Sequence, residues 1–279
     1  SSNQVGVQLD RLPLAPWLSM LGPPLGTELP SGTGLLHAAF DVVLSPLTVT
    51  GAAQWEDAQL EGFDLGDLCL GGSWGKEPRL KFQQFRGESE VLRAEMASSQ
   101  AVEVELLGWP LEQLQPLFVD AGVALSGTAT GGLTLGIPVD GAVSSARGNM
   151  SIDAQEVSIA ATGMSYSLQG DLGFSAGLIG MDRGIITDPN GQTSLLNISV
   201  LHSNFTDWNY DLGLELPEDF QVMDLAPDRS KLFYGKVLAT GDANVSGTSE
   251  SLSIDVAARS AGGSVACAST AGAATVATT

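Results

Sequence analysis

From Lys231 to Val256 the chain reads KLFYGKVLATGDANVSGTSESLSIDV, and apolar and polar residues alternate along it. Val237, Ala239, Gly241, Ala243 and Val245 fall on one side, with Lys236, Thr240, Asp242 and Asn244 on the other. After Ser246-Gly247-Thr248 the alternation resumes, Leu252, Ile254 and Val256 against Ser251, Ser253 and Asp255. A period of two broken by a Gly/Ser turn predicts two half-buried strands joined by a hairpin, each with one apolar and one wetted face.

Most of the chain repeats this pattern. Val5, Val7 and Leu9 alternate, as do Phe40, Val42 and Leu44 before Ser45-Pro46, and then Leu47, Val49, Gly51, Ala53 and Trp55. Leu80, Phe82 and Phe85 continue it, followed by Val102, Val104 and Leu106. In the second half, Met150 and Ile152, Val157 and Ile159, and Tyr166, Leu168, Leu172 and Phe174 alternate across turns expected at Gly163 and Gly170. Asp188-Pro189-Asn190-Gly191 is a strong turn signal. Helical spacing occurs only briefly, predicting short helices at Pro16–Leu21 and Leu111–Phe118. Successive strands without helical crossovers predict an all-β fold, a long curled and mostly antiparallel sheet. About two dozen strands would fit, too many for one flat sheet, which must curl, stack or close.

Segments recur at offsets of about 95–97 residues. Leu12-Pro13-Leu14 corresponds to Trp109-Pro110-Leu111, Ser31-Gly32-Thr33 to Ser126-Gly127-Thr128, and Gly51–Trp55 to Gly148–Ile152. This divides the chain into a helix-plus-strands unit at 1–108 and a second β unit at 109–260. The tail 261–279 is low-complexity and expected to be poorly ordered or truncated.

Composition narrows the partners. Twelve basic against 32 acidic residues give a net charge of -20, which argues against nucleic acid and against adsorption on anionic headgroups. Hydrophobic residues make up 43%, too many for a disordered acidic chain. No apolar run reaches the ~20 residues of a spanning helix. The chain begins mid-pattern, as expected of a piece of something longer. Cys69 and Cys267 stand far apart in unlike contexts, so two unpaired thiols are expected over a disulfide.

No catalytic, cofactor or metal set emerges. His37 and His202 sit in strand contexts without a ligand at i+4. Gly131-Gly132 precedes a strand, which fails the structural test for a phosphate cradle. Glu103 and Glu105 share one face of a strand, a geometry open to glycosidase-like work, but among 32 acids a solvated face is the simpler reading. Sequons at Asn149, Asn197, Asn204 and Asn244 are as readily incidental as glycan sites. What remains is the apolar face, which must meet a second sheet face, another protein's strands, or lipid acyl chains.

The run from Phe220 to Ser260 carries a resemblance. Leu232-Phe233-Tyr234-Gly235-Lys236, then Ala239-Thr240-Gly241, Val245-Ser246-Gly247 and Leu252-Ser253-Ile254, resemble the C-terminal domain of TamB-like translocation and assembly module proteins, most closely Bacteroidetes-type members and more distantly AsmA-like proteins. The likeness covers roughly Met150 to Ser260. It implies a β-taco with an apolar groove, in a periplasmic segment of a Gram-negative parent anchored in the inner membrane elsewhere. It further implies phospholipid acyl chains as cargo and, as partner, an outer-membrane assembly barrel of the BamA superfamily such as TamA. Covalent chemistry is not implied. The motif residues are Leu232, Phe233, Tyr234, Gly235, Lys236, Gly241 and Gly247. The candidate groove lining is Val157, Ile159, Leu168, Leu172, Ile198, Val200, Val237, Val245, Leu252 and Ile254. The tail departs from the family pattern, and a secreted structural or adhesin module with a closed core is the alternative.

Overall fold

A computed structural model describes residues 4–13, 32–44, 47–60, 63–75, 78–98, 100–119, 121–136, 145–203, 206–227, 233–248, 251–260, 262–270 and 273–278. The helix expected at Pro16–Leu21 lies outside them. The architecture is all-β, and every paired strand runs antiparallel to its neighbour. Among the described residues seventeen strands form, against the two dozen expected, because several are long, up to 20 residues.

The chain divides into two compact units, residues Ser1–Trp109 with Thr130–Val143, and Pro110–Ala129 with Ser144–Thr279. The first break adjoins the division expected between 108 and 109, but one strand, Val123–Gly136, contributes to both units.

In the first unit, β1 (Gln4–Pro13), β2 (Gly32–Leu44), β3 (Leu47–Leu60), β4 (Phe63–Trp74), β5 (Arg79–Arg86), β6 (Ser89–Ser98) and β7 (Ala101–Pro110) form a meander, each pairing with the next. Directly opposed residues of an antiparallel pair share a face. One row across all seven strands reads Leu9, Ala38, Ala53, Leu70, Phe82, Ala94 and Val104. The adjacent row, on the other face, reads His37, Gln54, Cys69, Gln83, Arg93 and Glu105. The period-two pattern therefore becomes one apolar and one polar face. Gln84 is a polar residue on the apolar face, buried, and its amide donates to Leu65 O (2.6 Å) while Trp109 Nε1 donates to it (3.0 Å).

In the second unit a 3₁₀ turn (Leu111–Leu114) runs into one helical turn (Gln115–Phe118), where the helical spacing fell. Gln115 ties it to β8 (Val123–Gly136), donating to Val123 O and accepting from Leu125 N–H. Then β9 (Ser145–Ile159), β10 (Met164–Ser175), β11 (Leu178–Thr187), β12 (Thr193–Ser203), β13 (Thr206–Leu225), β14 (Phe233–Thr248) and β15 (Leu252–Ser260) form a second meander. Two expected turns are corrected. Gly170 lies within β10, opposite Ile152, and the turn comes after Ser175. Ser246–Thr248 stays in β14, because the ladder continues to Gly247 opposite Leu252.

Two short strands lie in the tail. β16 (Val265–Thr270) pairs with Phe233–Lys236 of β14, and β17 (Ala273–Thr278) pairs with β16. Small residues lack a core-building face, but their backbone groups still complete a ladder.

Candidate functional site

The site is the apolar face of the second unit. One row reads Met150, Leu172, Met181, Ile198, Leu212, Val245 and Ile254 across seven strands, every member apolar. The next apolar row on that face is Gly148, Phe174, Ile179, Val200, Tyr210, Gly247 and Leu252. The row between them, on the opposite face, is Asn149, Gly173, Gly180, Ser199, Asp211, Ser246 and Ser253.

At one end of the strands this face curls onto itself. β13 pairs with β12 as far as Glu215 opposite Leu195, and its continuation past Leu216 pairs with β14. There it meets the start of β10. The rings of Tyr166 and Phe220 stack with centroids 5.8 Å apart and planes within 4°. Met164, Leu216 and Ala239 complete the buried cluster, with Ile159, Ile186, Leu214, Val222 and Ala243 against it. Residues from the apolar faces of non-adjacent strands touch, so the curl puts that face inside. Bulges help to produce it: Arg183 in β11 and Asp219 in β13 hold φ near 55° and 61° at register shifts, and bulges bend and twist their strand. Asn197 satisfies the first, accepting from Arg183 N–H at 2.9 Å.

A polar network seals the same end. Asp188, buried in the β11–β12 turn, accepts from the N–H groups of Asn190 (2.9 Å), Gln192 (2.8 Å) and Gln221 (2.8 Å). Gln221 of β13 is itself buried, accepting from Asn190 Nδ2 and donating to Asp224. Asp224 N–H donates to Thr162 O, closing β13 onto the β9–β10 turn. Gly163 makes that approach possible. Its φ is +69°, and a Cβ there would lie 2.2 Å from Asp224 O.

Tyr166 donates its hydroxyl to Gln221 O at 3.1 Å. Burial, with the Asp188 carboxylate adding to it, pushes the phenol up to about 12. A raised pKa means that the folded state holds the proton more tightly than the unfolded one. The associated stability is present in full below pH ~10 and is lost as pH rises through about 12, on the order of 2–3 kcal/mol. Ultraviolet titration should show a late-ionising tyrosine that Tyr166→Phe removes; an unchanged titration would refute this.

All ten residues named from sequence share this face by register. Leu172, Ile198, Val245 and Ile254 fall in the first row, and Val200 and Leu252 in the second. Leu168 stands opposite Ile186, Val157 opposite Tyr166, Ile159 opposite Met164 and Val237 opposite Met223, toward the closed end. The sequence missed Phe220 and Tyr166 as closure residues, since they lie 54 positions apart by number and meet only through the curl.

Of the motif, Leu232 lies outside the described residues, and Phe233 stands opposite Ala268. Tyr234 stands opposite Cys267, whose hydrogen bond raises its phenol pKa. Lys236 faces Asp224 across the β13–β14 ladder, on the polar side. Gly235, Gly241 and Gly247 recur every sixth residue on the apolar side. A Cβ at any of them would lie 2.0–2.2 Å from a carbonyl oxygen of the adjoining strand or turn, so this spacing reports close backbone approach.

The polar faces explain the remaining sequence candidates. In the first unit Arg93 pairs with Glu90 (2.5 Å) and Glu105 (3.6 Å), and Lys81 with Glu95 (3.4 Å), which stands opposite Glu103. His37 lies between Asp10 (2.7 Å) and Glu56 (3.4 Å) beside a concavity of about 410 Å³ that also reaches Cys69. Burial, then Asp67, raises the Cys69 thiol pKa, which keeps it a poor nucleophile. Both cysteines are free. Among the described residues no three His, Cys, Asp or Glu side chains are grouped to hold a metal, and no helix is long and apolar enough to cross a membrane.

Fold and face together define an all-β protein whose second unit carries an apolar surface curled inward at one end. No family model, curated protein or solved structure matches the chain.

Proposed function

We propose that the chain is a non-enzymatic segment of a TamB-like envelope-biogenesis protein, whose apolar face holds phospholipid acyl chains on their way between inner and outer membranes. The periplasm of a Gram-negative cell is its place, and an outer-membrane barrel of the BamA superfamily its protein partner. The observation that carries the reading is the unbroken apolar row from Met150 to Ile254, half-buried at Leu172, Ile198 and Leu212 and ending on Ile254 at 61% exposure. A closed core would bury that last residue as it buries Phe220. The -20 charge keeps anionic headgroups at a distance, so binding falls to the chains. The buried Tyr166–Phe220 cluster favours the alternative locally, a structural or adhesin module with a closed core.

Native mass spectrometry of protein expressed in a Gram-negative periplasm separates the two. Co-purified phospholipid that Ile198→Asp removes, with far-ultraviolet circular dichroism still β-rich, is the expected result. Lipid-free protein that unfolds on the same substitution would leave the closed-core module as the reading.

A further inference from the structure

We infer that this apolar trough is blind: an acyl chain enters at the Phe174–Tyr210 end and stops against Tyr166 and Phe220, which set the longest chain accommodated. The inference rests on reading the face as an acyl-chain site.

Burial along β13 and β14 gives the direction. On β13, Phe220 is fully buried and Leu216 6% exposed, whereas Leu214, Leu212 and Tyr210 are only half-buried. On β14, buried Ala239 gives way to half-buried Ala243 and Val245. The closed end is fixed from two sides. Beneath, the stacked rings fill the space between β10 and β13. Above, Asp188 and Gln221 bind the β11–β12 turn to β13, and Asp224 N–H holds Thr162 O. A chain lying along the strands therefore meets ring atoms and a hydrogen-bonded seam. At about 3.4 Å per residue, the stretch from Leu214 to Tyr210 offers it roughly 14 Å.

The occupant follows from what the rows lack. Among the described residues, no charged side chain lies on this face from the Gly148 row to the Ile152 row and across to β15, and the Tyr210 hydroxyl donates to Ser251 O. A peptide laid there would leave its N–H and C=O groups without partners. A hydrocarbon chain has none to satisfy.

The test uses the full chain and lysophosphatidylcholines differing only in acyl length, bound below micelle formation. Affinity should rise about fourfold per added methylene and then stop rising at a definite length. Phe220→Leu should move that limit to longer chains, and Ile254→Asp should weaken every length without moving it. Tyr166→Leu, which opens the same stop from β10, stands in if Phe220→Leu fails to fold by circular dichroism. Affinity that climbs through the longest chain, or a limit that neither variant moves, would overturn the blind end. Absence of binding at every length would instead overturn the acyl-chain reading beneath it.

Discussion

Phe220→Ala is expected to lower the unfolding free energy by about 3–5 kcal/mol, the range for emptying a fully buried aromatic site. Phe220 is wholly shielded from water and touches the cluster that holds β10 against β13. Its loss removes the transfer energy of the ring and leaves a cavity between non-adjacent strands, where the extra bulge residues limit collapse. Urea unfolding followed by circular dichroism gives the value, with Ile254→Ala as the comparison. Ile254 is 61% exposed, so its truncation should stay within about 0.5 kcal/mol. Equal effects at the two sites would mean that the curl contributes nothing to stability, and the distinction between a closed and an open end would fail with it.

The face assignment was legible because period two survives translation into a ladder. Ile198 and Leu252 belong to the apolar side whichever strand they pair with, provided the register keeps its parity. The turns at Gly170 and Ser246–Thr248 were misplaced for the converse reason. Glycine marks a turn or a close backbone approach equally well, and Gly247 proves to be the second kind. In the tail, alanine and serine give no alternation to read, although the backbones of β16 and β17 still pair.

The curl itself left little trace. It depends on register shifts at Arg183 and Asp219, and a non-glycine residue at positive φ has no distinguishing pattern around it. The same holds for His37, whose partners Asp10 and Glu56 come from the strands on either side of β2. The repeat offers one partial signal. Gly51–Trp55 and Gly148–Ile152, matched by sequence, fall in β3 and β9, each followed by a bulge, at Trp55/Ala58 and at Ala154/Val157. Each unit thus carries a bulge at the corresponding place, and a bulge bends and twists its own strand.

Asp188→Ala should cost about 3 kcal/mol, comparable to the loss of a buried side chain although almost no apolar area is involved. The carboxylate accepts three backbone N–H groups, two from its own turn and one from Gln221. Asn190, Gly191 and Gln192 are exposed, so water can replace the carboxylate within the turn. Gln221 is 3% exposed, and its N–H would be left buried without an acceptor, the costly half of a broken charge-assisted bond. Asp188→Asn keeps one acceptor oxygen and should cost less, about 1–2 kcal/mol. Hydrogen exchange at the Gln221 amide provides the specific readout: it should accelerate strongly in Asp188→Ala and modestly in Asp188→Asn, while amides in the Met150–Ile254 row keep their protection. If exchange at Gln221 stays unchanged while stability falls, Asp188 serves only its own turn, and the rings of Tyr166 and Phe220 close the trough without the polar seam.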